Sequence, residues 1–223
     1  IYYQDAPLTF VEDVAKAAEE EYDNIARRLG FTRYQGWTWD NRAKIYIFND
    51  QDHYISSQNP SWSHGTTSTL NRVIRTFPTA HGFFDTTLPH ELGHIVFREF
   101  VGEATPIPLW LEEGVAMYQE KAKRWGASKT VREALRDGEF VPLKELGFTT
   151  FAGNSDKKLV DLFYAEAASI VYYMITEFGE YRFTDFCRGL KSGKMFDEAL
   201  HQAYIRFDNL EDLNKAWIQH LSK

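Results

Sequence analysis

The segment His90-Glu91-Leu92-Gly93-His94 decides the fold class, because its spacing suits a metal ion only when it lies on a helix. Helix positions i and i+4 share one face about 6 Å apart, so the two imidazoles can bind one cation. Glu91 is offset by one residue, so its carboxylate reaches a water on the cation instead of the cation. The neighbours Leu88, Ile95 and Val96 are uncharged, as a buried helix requires. The segment predicts a zinc site with Glu91 as general base.

A hydrolytic zinc site needs a third protein ligand and an open position for water. In one long version of the pattern this ligand is a His six residues after the second His, preceded by a Gly. Those two places hold Phe100 and Phe97 here, which excludes that version. Glu113 follows His94 after 18 intervening residues, enough for the helix to end, a loop to turn and another helix to return. The sequence therefore predicts one zinc per chain on His90 and His94, with Glu113 as a candidate for the third ligand.

The apolar pattern around this segment predicts a mixed first half and a helical second half. Thr9 with Glu12, and Asp208 with Glu211, indicate capping boxes for the first and last helices. We predict a strand over 43–48, a second β region over 66–77 that could form a hairpin, and a loop over 78–84. The predicted helices cover 8–29, 86–101, 109–123, 159–177, 182–190, 195–204 and the residues from about 208 onwards. We expect a single domain over 1–223, with a mixed lobe over 1–102 and a helical lobe over 103–223.

Composition restricts the class of partner. The formal charge is −7 and no Lys/Arg cluster reaches the density of a phosphate-binding face, so we expect no nucleic acid. No apolar run approaches the roughly 20 residues of a membrane span, so we expect no transmembrane segment. The one cysteine, Cys187, excludes an intrachain disulfide. The chain starts at Ile1 and not at Met, so we expect a processed N terminus and a secreted or cell-envelope location.

The two motifs together resemble a family of peptidases. The HExxH pattern, followed after 18 residues by Glu-Gly within Trp110-Leu-Glu-Glu-Gly-Val-Ala-Met-Tyr118, is similar to the gluzincins. The similarity is closest to peptidase-MA-like domains and more distant to aminopeptidase-N-like and thermolysin-like enzymes. It extends over about 43–223, through the segments Phe163–Met174 and Leu213–Trp217. It implies that Glu113 is the third ligand. The implied fold is an α+β, thermolysin-like zincin with a small mixed sheet in the first lobe and an all-helical second lobe.

The resemblance also implies roles for residues outside the two motifs. Tyr164 lies where aminopeptidase relatives carry a tyrosine that stabilises the oxyanion, although the Lys-Gly that follows it there is missing. Its alternative is a core tyrosine, like Tyr172 and Tyr173 on the same helix. Glu112, often Asn in relatives, either supports a ligand or is solvated. By analogy the strand beside the metal helix, expected at Arg72–Phe77, pairs with substrate, and His81 lines the cleft or is solvated.

These implications favour a zinc-dependent peptidase acting on a peptide or protein substrate. The Gly-x-Met-Glu-Asn string with which aminopeptidase relatives bind a free amino terminus is absent, which favours an endopeptidase. Two alternatives stay open: a zincin-fold binding or scaffold domain without turnover, and an aminopeptidase of narrow specificity. The intact set of two His and two Glu argues against a scaffold, because a structural zinc site needs neither Glu91 nor an open position.

Overall fold

A computed structural model describes residues 1–30, 42–61, 63–121, 124–149, 151 and 156–223. Within these ranges the chain is mixed α+β and mostly helical, with one small sheet. The strands are β1 (Tyr2–Tyr3), β2 (Lys44–Ile47), β3 (Gly65–Ser68) and β4 (Val73–Thr76). The helices are α1 (Leu8–Arg28), α2 (Gln51–Ser56), α3 (Leu88–Val101), α4 (Leu109–Gln119), α5 (Arg124–Asp137), α6 (Leu143–Leu146), α7 (Lys157–Phe178), α8 (Glu180–Lys191), α9 (Phe196–Tyr204) and α10 (Leu210–Leu221).

The sheet has the strand order β1-β2-β4-β3. β1, β2 and β4 are parallel, whereas β3 runs antiparallel to β4 and forms the predicted hairpin with it. In that hairpin Gly65 is opposite Thr76 and Thr67 is opposite Ile74. β3 packs against α3, which carries the HExxH segment. The prediction that Arg72–Phe77 forms the sheet edge is therefore wrong. This segment contains the inner strand β4, and β3 is the edge strand next to α3.

One hydrophobic cluster extends from Val11 on α1 to Leu221 on α10, and α7 lies in its interior against α4, α5 and α8. Among the described residues, α7 is the one helix with the length and hydropathy of a membrane span, at 22 residues and a mean hydropathy of 1.3. In this structure 67% of its apolar stretch is buried. The packing of α7 between three helices accounts for its apolar character. Cys187 on α8 is also fully buried, and burial raises the pKa of its thiol.

Several local predictions need correction. The first residue of the Thr9/Glu12 pair does not cap α1, which begins after Pro7 without a side-chain cap. α10 is capped by Asn209, whose side chain accepts hydrogen bonds from two backbone N–H groups, and not by Asp208. α4 ends at Gln119, earlier than expected, and a π-helical turn over Phe83–Thr87 replaces the end of the predicted loop. β1, α2, α5 and α6 were not individually predicted.

Candidate metal centre

Two helices bring the predicted ligands together. Pro89 sits in the first turn of α3, where its missing N–H costs little, and Gly102 ends that helix at a φ of 97°. The chain then reverses through 103–108, and α4 begins after Pro108. α3 and α4 pack against each other, so His90 and His94 face Glu113. The predicted loop-and-return path from one motif to the other is thus present.

The three side chains form a compact triangle of donor atoms. The two Nε2 atoms of His90 and His94 lie 3.2 Å apart. Oε2 of Glu113 lies 3.5 Å from Nε2 of His90 and 3.6 Å from Nε2 of His94. Zinc bound at about 2.0–2.1 Å in a tetrahedron would need edges of about 3.3–3.4 Å. Within the described part of the chain, this is also the one group of His, Cys, Asp and Glu residues with metal-binding geometry.

The chemistry of the donor set fits a cation as well as its geometry does. Oε2 of Glu113 is buried and accepts no hydrogen bond from the described residues. Burial favours the protonated form of Glu113, yet His94 and His90 hold the pKa of its carboxyl below the ordinary value. Burial would also lower the pKa of His90, but the nearby Glu113 carboxylate and the hydrogen bond with Glu120 raise it to about 10. Negatively charged carboxylates thus surround the two imidazoles, which makes the space between them favourable for a cation.

Glu120 orients the first imidazole. Its Oε1 lies 2.8 Å from Nδ1 of His90, and its side chain is almost completely buried. A carboxylate at this position accepts a hydrogen bond from Nδ1–H, which leaves the lone pair of His90 Nε2 available to the centre. Glu120 was not identified from the sequence. It stands 30 residues after His90, and a Glu at the end of a helix carries no spacing signal.

Glu112 is held by an arginine and is not solvated. Arg98 donates from Nε to Oε1 at 3.0 Å and from a terminal nitrogen to Oε2 at 2.5 Å. The same guanidinium donates to the backbone carbonyl of Thr105 in the loop between α3 and α4. Oε1 of Glu112 lies 3.9 Å from Nδ1 of His94, beyond a direct hydrogen bond. Glu112 is thus paired with Arg98 near His94, and its role as a support for that residue stays a prediction.

Glu91 lies next to the triangle but is not part of it. Its side chain is buried, at 6% exposure, and faces the edge strand. The hydroxyl of Thr67 on β3 donates to Oε2 of Glu91 at 2.6 Å. The offset of one residue within HExxH therefore separates Glu91 from the ligand atoms, as the helical spacing predicts.

Tyr164 lies close enough to interact with the site. Burial, and after it the negative charges of Glu113, Glu91 and Glu120, raise the pKa of its phenol well above the ordinary value. Its hydroxyl therefore carries a proton at neutral pH. Its ring stacks on Phe151, with a centroid distance of 6.5 Å.

The other tyrosines and histidines have different surroundings. Tyr172 packs on Tyr118, and Tyr173 packs on His220. His81 is exposed and belongs to no group of possible metal ligands among the described residues. Three further histidines pair with nearby carboxylates away from the centre, namely His53 with Asp50, His201 with Asp208 and His220 with Glu177.

A close helix contact fixes the position of α4. Gly114 follows Glu113 and lies against α7, where an added Cβ would stand 2.3 Å from the carbonyl oxygen of Ala167. Only a residue without a side chain permits this separation, because a backbone oxygen cannot rotate away. The Glu-Gly pair thus combines a predicted ligand with the residue that lets its helix approach α7.

A family comparison agrees with this geometry. The family model of the peptidase MA superfamily matches residues 29–223, which includes α3, α4 and all the helices that follow. No curated protein matches the chain at a significant level. Since the match covers most of the chain, the chain belongs to the peptidase MA superfamily.

Proposed function

We propose that this chain is a zinc-dependent peptidase that cleaves internal peptide bonds, with His90, His94 and Glu113 as the metal ligands. The observation that carries the proposal is the triangle of two imidazole nitrogens and one carboxylate oxygen, with edges of 3.2, 3.5 and 3.6 Å. These edges are close to those of a tetrahedral zinc site, and three ligands leave the fourth position for water or substrate.

The surrounding residues divide the catalytic work. Zinc held by the three ligands would act as a Lewis acid that acidifies a water and polarises the scissile carbonyl. Glu91 accepts the proton of the attacking water and then delivers it to the leaving amine. Tyr164 donates its phenolic hydrogen to the oxyanion that forms on the substrate. Glu120 keeps His90 in the tautomer that binds metal.

The edge strand β3 supports the assignment of a peptide substrate. An extended peptide can add to an exposed sheet edge through backbone hydrogen bonds. Among the described strands, β3 has a partner on one side only and packs against α3. A peptide paired with it would pass alongside Glu91. We therefore assign substrate pairing to β3, in place of the strand expected from the sequence.

The first experiment compares the wild type with Glu91→Gln after both are loaded with zinc. Gln preserves the size of Glu91 but removes the proton acceptor. We expect about one zinc per chain in both proteins by mass spectrometry, and a kcat at least about 10²–10⁴-fold lower in the variant on a peptide library. Loss of zinc from Glu91→Gln, or equal activity of the two proteins, would remove Glu91 from its assigned role. Zinc binding without activity in either protein would favour a scaffold.

A second pair of variants tests Tyr164. Tyr164→Phe removes the hydroxyl alone and should lower kcat by about 10²–10³-fold if that hydroxyl meets the oxyanion. Tyr172→Phe, on the same helix and also half-buried, is the matched control and should leave kcat unchanged. An equal effect of the two substitutions would show that Tyr164 acts only through packing.

A further inference from the structure

The orientation of Glu91 depends on a strand that carries no ligand. Thr67 on β3 donates its hydroxyl to Oε2 of Glu91 at 2.6 Å, and the same hydroxyl lies 3.3 Å from the backbone carbonyl of Glu91. Both contacts connect the middle of the edge strand to the residue between the metal ligands of α3. The first of these contacts holds Oε2 of the carboxylate toward β3.

A second residue of the same strand shapes the space around the other oxygen. Gly65 lies two positions before Thr67, so both residues lie on the same face of the sheet. A Cβ added to Gly65 would stand 2.8 Å from Oε1 of Glu91 and 2.9 Å from Cγ2 of Thr87. Real Cβ atoms essentially never lie so close to another heavy atom. Oε1 thus occupies a space that exists because position 65 has no side chain.

The strand that makes these contacts is itself fixed. Gly65 pairs with Thr76 and Thr67 with Ile74 on the inner strand β4. The hydroxyl of Thr76 donates to the backbone carbonyl of His64 at 2.9 Å, which anchors the start of β3. Since β4 pairs on its other side with β2, β3 has a rigid support.

We propose that Thr67 and Gly65 are positioning residues for the general base: the hydroxyl of Thr67 holds Oε2 of Glu91, and the absent side chain of Gly65 leaves room for Oε1. Oε1 is then the oxygen that accepts the proton. This inference rests on the proposed function, because it assigns the parts that orient Glu91 in the same reaction. It gives β3 two tasks, since its backbone edge binds the substrate and its side chains orient the base.

The test uses Thr67→Val, which keeps the shape but removes the donor, and Thr67→Ser, which keeps the donor. Loss of a supporting hydrogen bond of this kind typically lowers activity by about 10–100-fold. We expect Thr67→Val to lower kcat by that factor, with KM changed less than about twofold and zinc still near one per chain. Thr67→Ser should restore kcat to within a few-fold of the wild type. Thr69→Val is the matched control outside the strand, because the hydroxyl of Thr69 donates to Glu103 and not to Glu91, and it should leave kcat unchanged.

A structural readout accompanies the kinetics. Crystal structures of the zinc-loaded wild type and Thr67→Val should show the Glu91 carboxylate rotated in the variant only. Gly65→Ala should displace it as well. An unmoved carboxylate in Thr67→Val, or equal kcat in the Val and Ser variants, would overturn the inference. If the wild type binds zinc but cleaves no peptide, the proposed function fails, and the position of Glu91 in the crystals still decides the inference.

Discussion

Four glutamates surround the two imidazoles of the centre, and their partners distinguish them. Glu113 directs an oxygen without a hydrogen-bond donor at the two Nε2 atoms. Glu120 binds Nδ1 of His90, Glu112 binds Arg98, and Glu91 binds Thr67. Because all four side chains carry the same carboxylate group, we infer the role of each one from the residues that it contacts.

This difference leads to a prediction for the adjacent pair Glu112 and Glu113. Glu113→Gln replaces the oxygen that faces the imidazoles and should abolish tight zinc binding. Glu112→Gln keeps the three ligands and loosens only the contact with Arg98, so zinc affinity should fall by at most about 10–100-fold. Competition with a chelator measures both affinities, and Glu211→Gln, on an exposed turn of α10, is the control. The reverse order of affinities would transfer the ligand role to Glu112.

The sequence predicts part of this arrangement and not the rest, for physical reasons. His90, Glu91 and His94 follow from helical periodicity, whereas the choice of Glu113 follows from the resemblance of its Glu-Gly string to the gluzincins. Thr67 and Glu120 depend on how a strand and a helix end pack against α3. Such contacts join residues 24 and 30 positions apart, and ordinary residue types make them. No local sequence pattern distinguishes Thr67 and Glu120 from the other threonines and glutamates of the chain.

At the scale of elements, the separation of α4 and α7 is the most constrained feature. Gly114→Ala would place a Cβ 2.3 Å from a backbone oxygen, so the helices must separate. Overpacking of this kind typically costs about 1–3 kcal/mol. Gly126→Ala on α5 is the matched control, because nothing lies within 4 Å of the added carbon.

We expect Gly114→Ala to lower the free energy of unfolding by about that amount and to weaken zinc binding, since Glu113 moves with α4. Gly126→Ala should be neutral or slightly stabilising, because alanine is the better helix former. Urea unfolding with and without a chelator separates the two effects. Equal stability of the two variants would mean that α4 and α7 do not pack as described.

The sheet shows where sequence patterns mislead at this scale. β4 contains Val73 and Ile74 and is largely buried, so hydrophobicity identifies it as the strand of interest. β3 reads Gly-Thr-Thr-Ser and is half-buried throughout, a composition equally typical of a turn. Inner strands leave a strong apolar pattern and edge strands a weak one. The sheet edge to which we assign the substrate is therefore the strand that the sequence pattern describes least well.

At the scale of the whole molecule, stability depends on pH through Glu166, a buried carboxyl that has no role in the proposed reaction. It lies on α7 with 0% exposure, and the backbone N–H of Val141 donates to its Oε1 at 2.9 Å. Its other oxygen is buried without a partner among the described residues. Burial raises the pKa of Glu166 to about 8, only partly offset by the hydrogen bond from Val141. It joins the segment between α5 and α6 to the core helix.

The raised pKa predicts a loss of stability with rising pH. Between the ordinary pKa of 4.5 and the folded value of about 8, the folded state binds more protons than the unfolded state. The free energy of unfolding therefore falls as pH rises through this range and levels off above it. Full ionisation of Glu166 in the folded state lowers the free energy of unfolding by roughly 3–5 kcal/mol.

Glu166→Gln removes this ionisation and keeps an acceptor for Val141. The wild type should lose stability relative to the variant between pH 5 and pH 9, measured by urea unfolding in the same metal state. Using the difference between the two proteins cancels the contributions of all other titrating groups. A difference that is constant with pH would contradict the raised pKa.

The buried thiol of Cys187 provides a built-in reporter of native-state opening. The chain has one cysteine, and its side chain is fully buried on α8. A thiol reagent reacts with the exposed thiolate, so each labelling event requires α8 to leave the core first. When reclosing is faster than labelling, the labelling rate measures the equilibrium population of the open form. Adding or removing zinc while following that rate would show how far the metal centre stabilises the helical half, without any engineered probe.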